Sequence, residues 1–393
     1  MKIALVHDYL NEYGGAERVL EALSEVYPDA PIYTAFVNKE SSAFKRFNGK
    51  KIVTSWAQNV PFFASKLHSP LRFLAPLIWG SFDFSKFDVV IGSASWYVTK
   101  GFRKGKAVEI CYCHTPPRYL YGYPTSVDWQ KYWPVKVYAL LVNHFMRVYD
   151  FEAAQKVDYF IANSKEVASR IKKFYRREST VIYPPVDVKR FTVHSSQFTV
   201  KKRSDNRQPT TDNFFLVVSR LVAAKKVDVV VEVCAKLCLP LKVVGEGREL
   251  ENLKNLALKY EKGDCVEFLG GVSDEDLIKL YQGARAVIFP AQMEDFGLVP
   301  VEAMACGVPV IVNAEGGVLG TVIDAIPAGK GKGTGVYFDP ATSGSLTLAI
   351  NNFADLEKQG YFDSVFIQKH AQKFSIERFK KEIKEFVESV SSS

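Results

Sequence analysis

The stretch from 286 to 312, AVIFPAQMEDFGLVPVEAMACGVPVIV, leaves the chain few choices of fold. The apolar, β-prone run Ala286 to Phe289 ends at Pro290, and a short loop with Glu294, Asp295, Phe296 and Gly297 follows. Pro300 sits where a first-turn proline fits, ahead of the helix formers Val301 to Ala305. Gly307 stops that helix, Pro309 prevents its resumption, and Val310 to Val312 begins a second strand. This is a strand–loop–helix–strand unit of an α/β domain. In open parallel sheets, ligands bind beyond the carboxyl ends of the strands. Glu294 and Glu302 bracket the loop with seven residues between them. The amides of Asp295 to Leu298 precede a helix whose N-terminus carries about half a positive charge, which suits phosphate or sugar oxygens. Two carboxylates beside such a loop fit a nucleotide-sugar; an acidic loop with one solvated helical Glu fits the same residues.

The same alternation runs through the chain. Lys2 to His7 reads as a buried strand, followed by a loop, Gly14–Gly15 and a helix from Ala16 to Val26. A glycine pair ahead of a helix N-terminus permits close backbone approach to a diphosphate, although it is not the GxGxxG dinucleotide fingerprint. Further strands are expected at Ala30 to Thr34, Phe87 to Gly92, Val108 to Cys113, Asp158 to Ala162 and Thr180 to Tyr183, with Asn163–Ser164 capping a helix. The polar stretch 192–212 lacks periodicity and is expected to be a linker. Phe214 to Ser219 opens a second alternation, followed by Arg220, Lys225 and Lys226, then a helix from Val227 and a strand ending at Gly245–Glu246–Gly247. Arg220 and Lys225 lie just past a strand end, where a pyrophosphate would sit, and Arg clamps phosphate with two parallel bonds. Asp274–Glu275–Asp276 has the look of a metal-binding DxD, but Ser273 as a cap and the helix dipole account for the acids, so no metal site is expected.

Length and composition set outer bounds. A chain of 393 residues accommodates two domains, and 47% hydrophobic with 24% charged residues is globular. The six cysteines form neither a disulfide framework nor a zinc pattern, which points to a reducing cytoplasm. No signal region and no bilayer-length apolar run is evident, so a soluble or peripheral protein is expected. Residues 1–200 carry 27 Lys+Arg against 17 Asp+Glu, a balance of +10, whereas 201–393 carry 24 against 26, a balance of −2. The basic half suits an anionic surface or acceptor, or is ordinary solvated lysine. Trp56 to Phe84 is rich in aromatics, and both core packing and contact with a membrane interface fit it.

Several segments together resemble one family. Glu294, seven residues, then Glu302, with Ala303, Gly307, Pro309 and Val310, is similar to the donor-binding signature of retaining glycosyltransferases of family 4, and EDFGLVPVEAMACGVPVIV resembles their mannosyltransferase subgroup of O-antigen and exopolysaccharide synthesis. YGGAERV, CHTPPRYLY, the IANS strand, the PPVD turn and SRLVAAKKVD match in order. The resemblance implies a GT-B fold, an α/β architecture of two Rossmann-like domains with parallel sheets facing across a cleft. It implies domains at 1–191 and 213–373, with 374–393 crossing back to the first.

It also implies that His114 and Glu294 contact the transferred sugar, Glu302 binds the ribose, and Arg220 and Lys225 neutralise the leaving diphosphate. Gly14, Gly15, Lys226, Gly245, Phe296, Gly297 and Leu298 complete the donor site. The co-substrate would be a nucleotide-sugar, GDP-mannose first, with no metal or other cofactor. The acceptor would be a glycan or lipid-linked saccharide, with peripheral contact to an anionic membrane and no nucleic-acid partner. A family Glu is replaced by Gly320, which puts a secondary donor contact in doubt. A nucleotide-sugar epimerase and a non-catalytic binding subunit on the same fold are the competing readings.

Overall fold

The computed structural model describes residues 1–123, 132–197, 214–260, 263–325 and 332–391. The chain divides into two units, Met1–Pro185 with Ile376–Ser393, and Val186–Ser375.

The first unit alternates strands and helices: β1 (Ile3–His7), α1 (Gly15–Val26), β2 (Ile32–Thr34), α2 (Ser42–Arg46), β3 (Ile52–Thr54), α3 (Ala75–Gly80), β4 (Val89–Ala94), β5 (Val108–Cys113), α4 (Trp133–Lys156), β6 (Tyr159–Ala162), α5 (Lys165–Tyr175) and β7 (Thr180–Val181). The strands form one sheet in the order β3-β2-β1-β4-β5-β6-β7, with every adjacent pair parallel. All five residues of β1 and all six of β4 are buried, as continuous apolar runs require in a sheet covered on both faces. The strand order reverses between β1 and β4, which pair with His7 opposite Ser93 at their carboxyl ends. Such a reversal opens the crevice in which α/β sheets bind ligands.

The second unit begins with α6 (Val188–Gln197), then β8 (Phe214–Val218), α7 (Val227–Leu237), β9 (Leu241–Val244), α8 (Leu250–Ala257), β10 (Val266–Gly270), α9 (Asp274–Gly283), β11 (Ala284–Phe289), α10 (Leu298–Ala305), β12 (Val310–Asn313), β13 (Gly335–Phe338), α11 (Ser343–Lys358) and α12 (Ser364–Ala371). Its sheet runs β10-β9-β8-β11-β12-β13, again parallel throughout, with the reversal between β8 and β11. This is the Rossmann order.

The last helix, α13 (Ile376–Ser391), groups with the first unit. Phe379, Ile383 and Val387 recur every fourth residue, so one face is apolar; they are buried against Val19, Leu20 and Leu23 of α1. Lys380 adds an ion pair to Glu25 at 2.5 Å. Phe386, next to them in sequence, is only partly buried; Val387 takes the inward position.

Three local features differ from the sequence reading. The division between the units falls at Pro185, ahead of residue 191, because α6 packs within the second unit. There Phe191 meets the Tyr281 ring edge-on at 5.9 Å and Arg190 pairs with Asp274 at 2.6 Å. The start of the expected linker is thus helical, and 198–212 lies outside the described residues. The aromatic stretch Trp56 to Phe84 splits: Phe63, Ala75, Ile78 and Trp79 are core, whereas Phe62, Phe73 and Leu77 are exposed. The 24-residue helix α4 was not anticipated, because its apolar residues lie on both faces and blur the helical period.

Candidate functional site

In the second unit, the strand reversal brings two predicted residues together. Lys225 ends a short 3-10 turn (Ala223–Lys225) just beyond β8, and Glu294 lies in the loop beyond β11. The Lys225 ammonium bonds Glu294 Oε2, and each side chain is 22% exposed, so the pair sits at the mouth of the crevice. Lys225 Nζ also stands 5.9 Å from the Phe289 ring centre. Arg220 lies two residues past the end of β8, is exposed, and makes no side-chain ion pair among the described residues.

The loops around this pair need glycine at two places. Gly316 has φ +81°, and a Cβ there would lie 2.3 Å from the Glu294 carbonyl oxygen. The Gly317 amide donates to that same carbonyl at 2.7 Å, which fixes the Glu294 loop against its neighbour. Gly245 has φ +129°, and a Cβ would fall 1.9 Å from the Ser219 carbonyl oxygen. Gly245 therefore lets the end of β9 press on the turn that carries Arg220. Glu302, on α10, is 5% exposed and accepts from the Tyr281 hydroxyl at 3.0 Å. Gly297 and Leu298 form the entry to α10, and Phe296 anchors the loop, its buried ring 5.7 Å from that of Phe374. Gly320 ends the short 3-10 turn Gly317–Gly320, so that turn offers no carboxylate there.

Lys226 parts company with Lys225. Its left-handed backbone, φ +52°, turns the chain into α7. Its side chain lines a separate hollow of about 150 Å³ with Asp228, Glu249 and Leu253. The acids at Asp274 to Asp276 serve the N-terminus of α9: Ser273 Oγ accepts from the Asp276 amide at 3.1 Å and donates to its carboxylate at 2.7 Å. Among the described residues, no group of three His, Cys, Asp or Glu is placed to hold a metal ion.

In the first unit, the reversal between β1 and β4 holds a buried hydrogen-bonded chain. His114 follows β5 and its Nε2 lies 2.9 Å from Ser93 Oγ. The same hydroxyl lies 3.0 Å from His7 Nδ1, and His7 Nε2 lies 3.3 Å from Glu17 Oε1. Glu17 Oε2 accepts from the Gly14 amide at 2.8 Å. The Gly14 N–H is thus committed within the loop; Gly15 and Ala16 begin α1, where first-turn amides lack intrahelical partners. Burial pushes the His114 ring down to about 3, with His7 acting in the same direction and Glu17 opposing, so the imidazole stays neutral. Burial pushes the Glu17 carboxyl up, but its bond to His7 and the amides around it outweigh burial and hold it below the ordinary range.

Valence assigns the protons along this chain. A carboxylate only accepts, so His7 carries a proton on Nε2, and when that ring is neutral its Nδ1 accepts the Ser93 hydroxyl proton. The Ser93 oxygen in turn accepts from His114 Nε2–H. The His114 ring is left with a lone pair on Nδ1, a nitrogen without a hydrogen-bond partner among the described residues.

Sequence reading missed His7, Ser93 and Glu17. His7 ends one of the strands that flank the reversal and Ser93 is next to last in the other, and Glu17 stands at the third helical position after Gly14; those positions were the available signal. Asp8, next in line, is structural: its carboxylate accepts from the amides of Trp96 at 2.6 Å and Tyr97 at 3.2 Å, holding the loop after β4.

Comparison with known proteins agrees with this architecture. Residues 13–190 match the family model "Glycosyltransferase Family 4", and residues 199–364 match "Glycosyl transferases group 1". A D-inositol 3-phosphate glycosyltransferase of Corynebacterium jeikeium is 30% identical over 186 residues, covering 44% of this chain and 44% of that protein. The chain spans about half the length of the curated relatives it matches. Among solved structures, Anabaena HepE in complex with UDP superposes with a TM-score of 0.69 at 19% identity, over 99% of this chain and 100% of that one. Sucrose-phosphate synthase of Thermosynechococcus elongatus gives 0.70 at 18% identity over the whole of both chains. At these identities the likeness concerns the fold, two parallel Rossmann-like sheets of the GT-B class. The first stretch of the chain is thus similar to glycosyltransferase family 4 and the second to glycosyl transferases group 1.

Proposed function

We propose that this chain is a retaining glycosyltransferase that moves a hexosyl unit from a nucleotide-sugar to a glycan or lipid-linked saccharide. The Lys225–Glu294 pair at the β8/β11 reversal, with Arg220 exposed beside it in sequence, is the observation that carries the reading. Breaking the bond between an activated sugar and its diphosphate releases negative charge, and fixed cations near that charge lower the barrier. Lys225 and Arg220 supply cations, and Glu294 supplies an acceptor for sugar hydroxyls. Glu302, held by Tyr281, is the acceptor for the ribose diol. Taken by itself, the first unit offers the His114 Nδ1 lone pair as an acceptor for a hydroxyl group. The reading requires no metal.

Mannose from GDP-mannose is the donor we propose, on the similarity of residues 294–312 to the mannosyltransferase subgroup. UDP, present in the Anabaena complex, marks the competing donor class. Thermal shift of the chain with GDP-mannose, UDP-glucose and their free diphosphates, followed by transfer assays with the stabilising donor, tests both levels. A bound ligand raises the melting temperature by an amount that grows with the logarithm of its concentration over its Kd. Glu294→Ala should lose sugar transfer while retaining diphosphate binding. Unchanged transfer in that variant would overturn the site, and stabilisation by UDP-glucose alone would overturn the donor.

A further inference from the structure

Helix α4 presents two different faces. Its inward face, Ala139, Asn143, Met146, Asp150, Ala153 and Ala154, is buried. That face is tied down: Arg72 Nη2 donates to Asn143 Oδ1 at 2.9 Å, and the Tyr138 hydroxyl donates to the Pro70 carbonyl. The outward face is a stripe of large apolar side chains in water: Trp133 is 76% exposed, Val137 50%, Leu140 70%, Leu141 58%, Phe145 70% and Val148 48%. The spacing follows the helical repeat, so the stripe is continuous along about 22 Å of helix. Single exposed apolar residues are ordinary, but six in one row are not. The segment that Tyr138 and Arg72 fasten to α4 adds exposed Phe73 and Leu77.

Along the stripe itself the charge has one sign; the first acid on the outward side is exposed Glu152, one turn beyond Val148. No Asp or Glu occurs between Glu40 and Asp83, and none occurs from Tyr132 to Tyr149. Exposed Lys66, Lys136 and Arg147 lie in these acid-free stretches. A second copy docked on the same face would bring Lys136 and Arg147 against the same two cations of its partner, and no acid lies between 132 and 149 to pair them. An anionic lipid surface meets both features, since it takes up apolar side chains and attracts the cations. Among the described residues, no helix is long and apolar enough to cross a membrane. We infer that the outward face of α4 lies in the interface of an anionic bilayer, with Trp133, Val137, Leu140, Leu141 and Phe145 below the headgroups and Lys136 and Arg147 at their level. This holds independently of the transfer reaction proposed above.

The test is co-sedimentation of the full chain with vesicles of phosphatidylcholine containing about one third phosphatidylglycerol, against phosphatidylcholine alone. Binding is expected to the mixed vesicles and to weaken with salt. Leu140→Asn with Phe145→Asn should lower the partition coefficient about 100-fold, from two apolar side chains no longer buried. Lys136→Gln with Arg147→Gln should lower it about 30-fold and remove the salt dependence. All four positions are exposed, so melting temperatures should hold; Val137→Gln with Leu141→Gln is the second apolar variant should the first melt lower. The inference is overturned if the native chain stays in the supernatant with anionic vesicles, or if the apolar variants sediment like the native chain. It is equally overturned if light scattering shows a dimer that these variants dissociate.

Discussion

His114 should remain uncharged far below the pH at which an ordinary histidine titrates, and the cost should appear in stability. Unfolded, its imidazole titrates near 6.5; folded, burial lowers this to about 3. The native value is depressed, so below 6.5 the unfolded chain takes up a proton that the folded chain refuses. The contribution is therefore complete above 6.5 and is lost progressively as pH falls toward 3. Between about pH 7.5 and pH 5 the loss from this one ring is about 2 kcal/mol, from 1.36 kcal/mol per pH step below 6.5. Glu17 faces the same cluster and its carboxyl is also shifted, so the quantity to measure is a double difference. Urea unfolding of the native chain and of His114→Asn at both pH values should differ in pH dependence by that amount. The ring itself can be read directly: the chain has six histidines, and nitrogen-detected spectra distinguish protonated, Nδ1–H and Nε2–H forms. The Nε2–H form of His114 should persist at about pH 5, and Ser93→Ala should release it to a tautomer mixture. A His114 resonance that titrates near 6.5, or a double difference near zero, would refute the argument.

Two further substitutions probe the frame that carries the sites. Gly316→Ala places a methyl 2.3 Å from the Glu294 carbonyl at φ +81°; it should destabilise the second unit by about 1–3 kcal/mol, shown by a lower melting temperature, and lower sugar transfer by displacing Glu294. Asp150→Ala should cost about 3–5 kcal/mol, because it strands the Lys100 ammonium, 2% exposed, in the interior. Unfolding of Lys100→Met with Asp150→Leu should recover most of that loss if the unpaired charge is its cause.

What the sequence disclosed follows the physics of each element. The buried parallel strands were legible because runs such as VVIGSA and VEICYC are apolar on both sides and end at Gly, Pro or polar residues. Helix α13 was legible from its single apolar stripe, whereas α4 was not, because its exposed stripe and its buried face together erase the period. Lys225 and Lys226 are neighbours with equal claim in the sequence. Only the left-handed turn at Lys226 sends one toward Glu294 and the other into a different hollow. The His7–Ser93–His114 chain was hidden for a different reason. Its members come from three strands whose adjacency is a property of sheet order, and local sequence carries no record of it.

The second unit's charges also bear on which ligand can enter. Lys225 and Glu294 satisfy each other, and at 22% exposure both are partly removed from water, so neither gives up its partner without replacement. A phosphate alone would pair with Lys225 and leave Glu294 facing its negative charge. A free sugar would bond Glu294 and leave the ammonium to be resolvated. A molecule with diphosphate and hydroxyls at a fixed separation replaces both interactions at once, and Arg220 adds a cation that no carboxylate among the described residues neutralises. On this argument the pair selects against the two halves of a nucleotide-sugar, and the carboxylate that binds the sugar also keeps the diphosphate site from attracting unrelated anions.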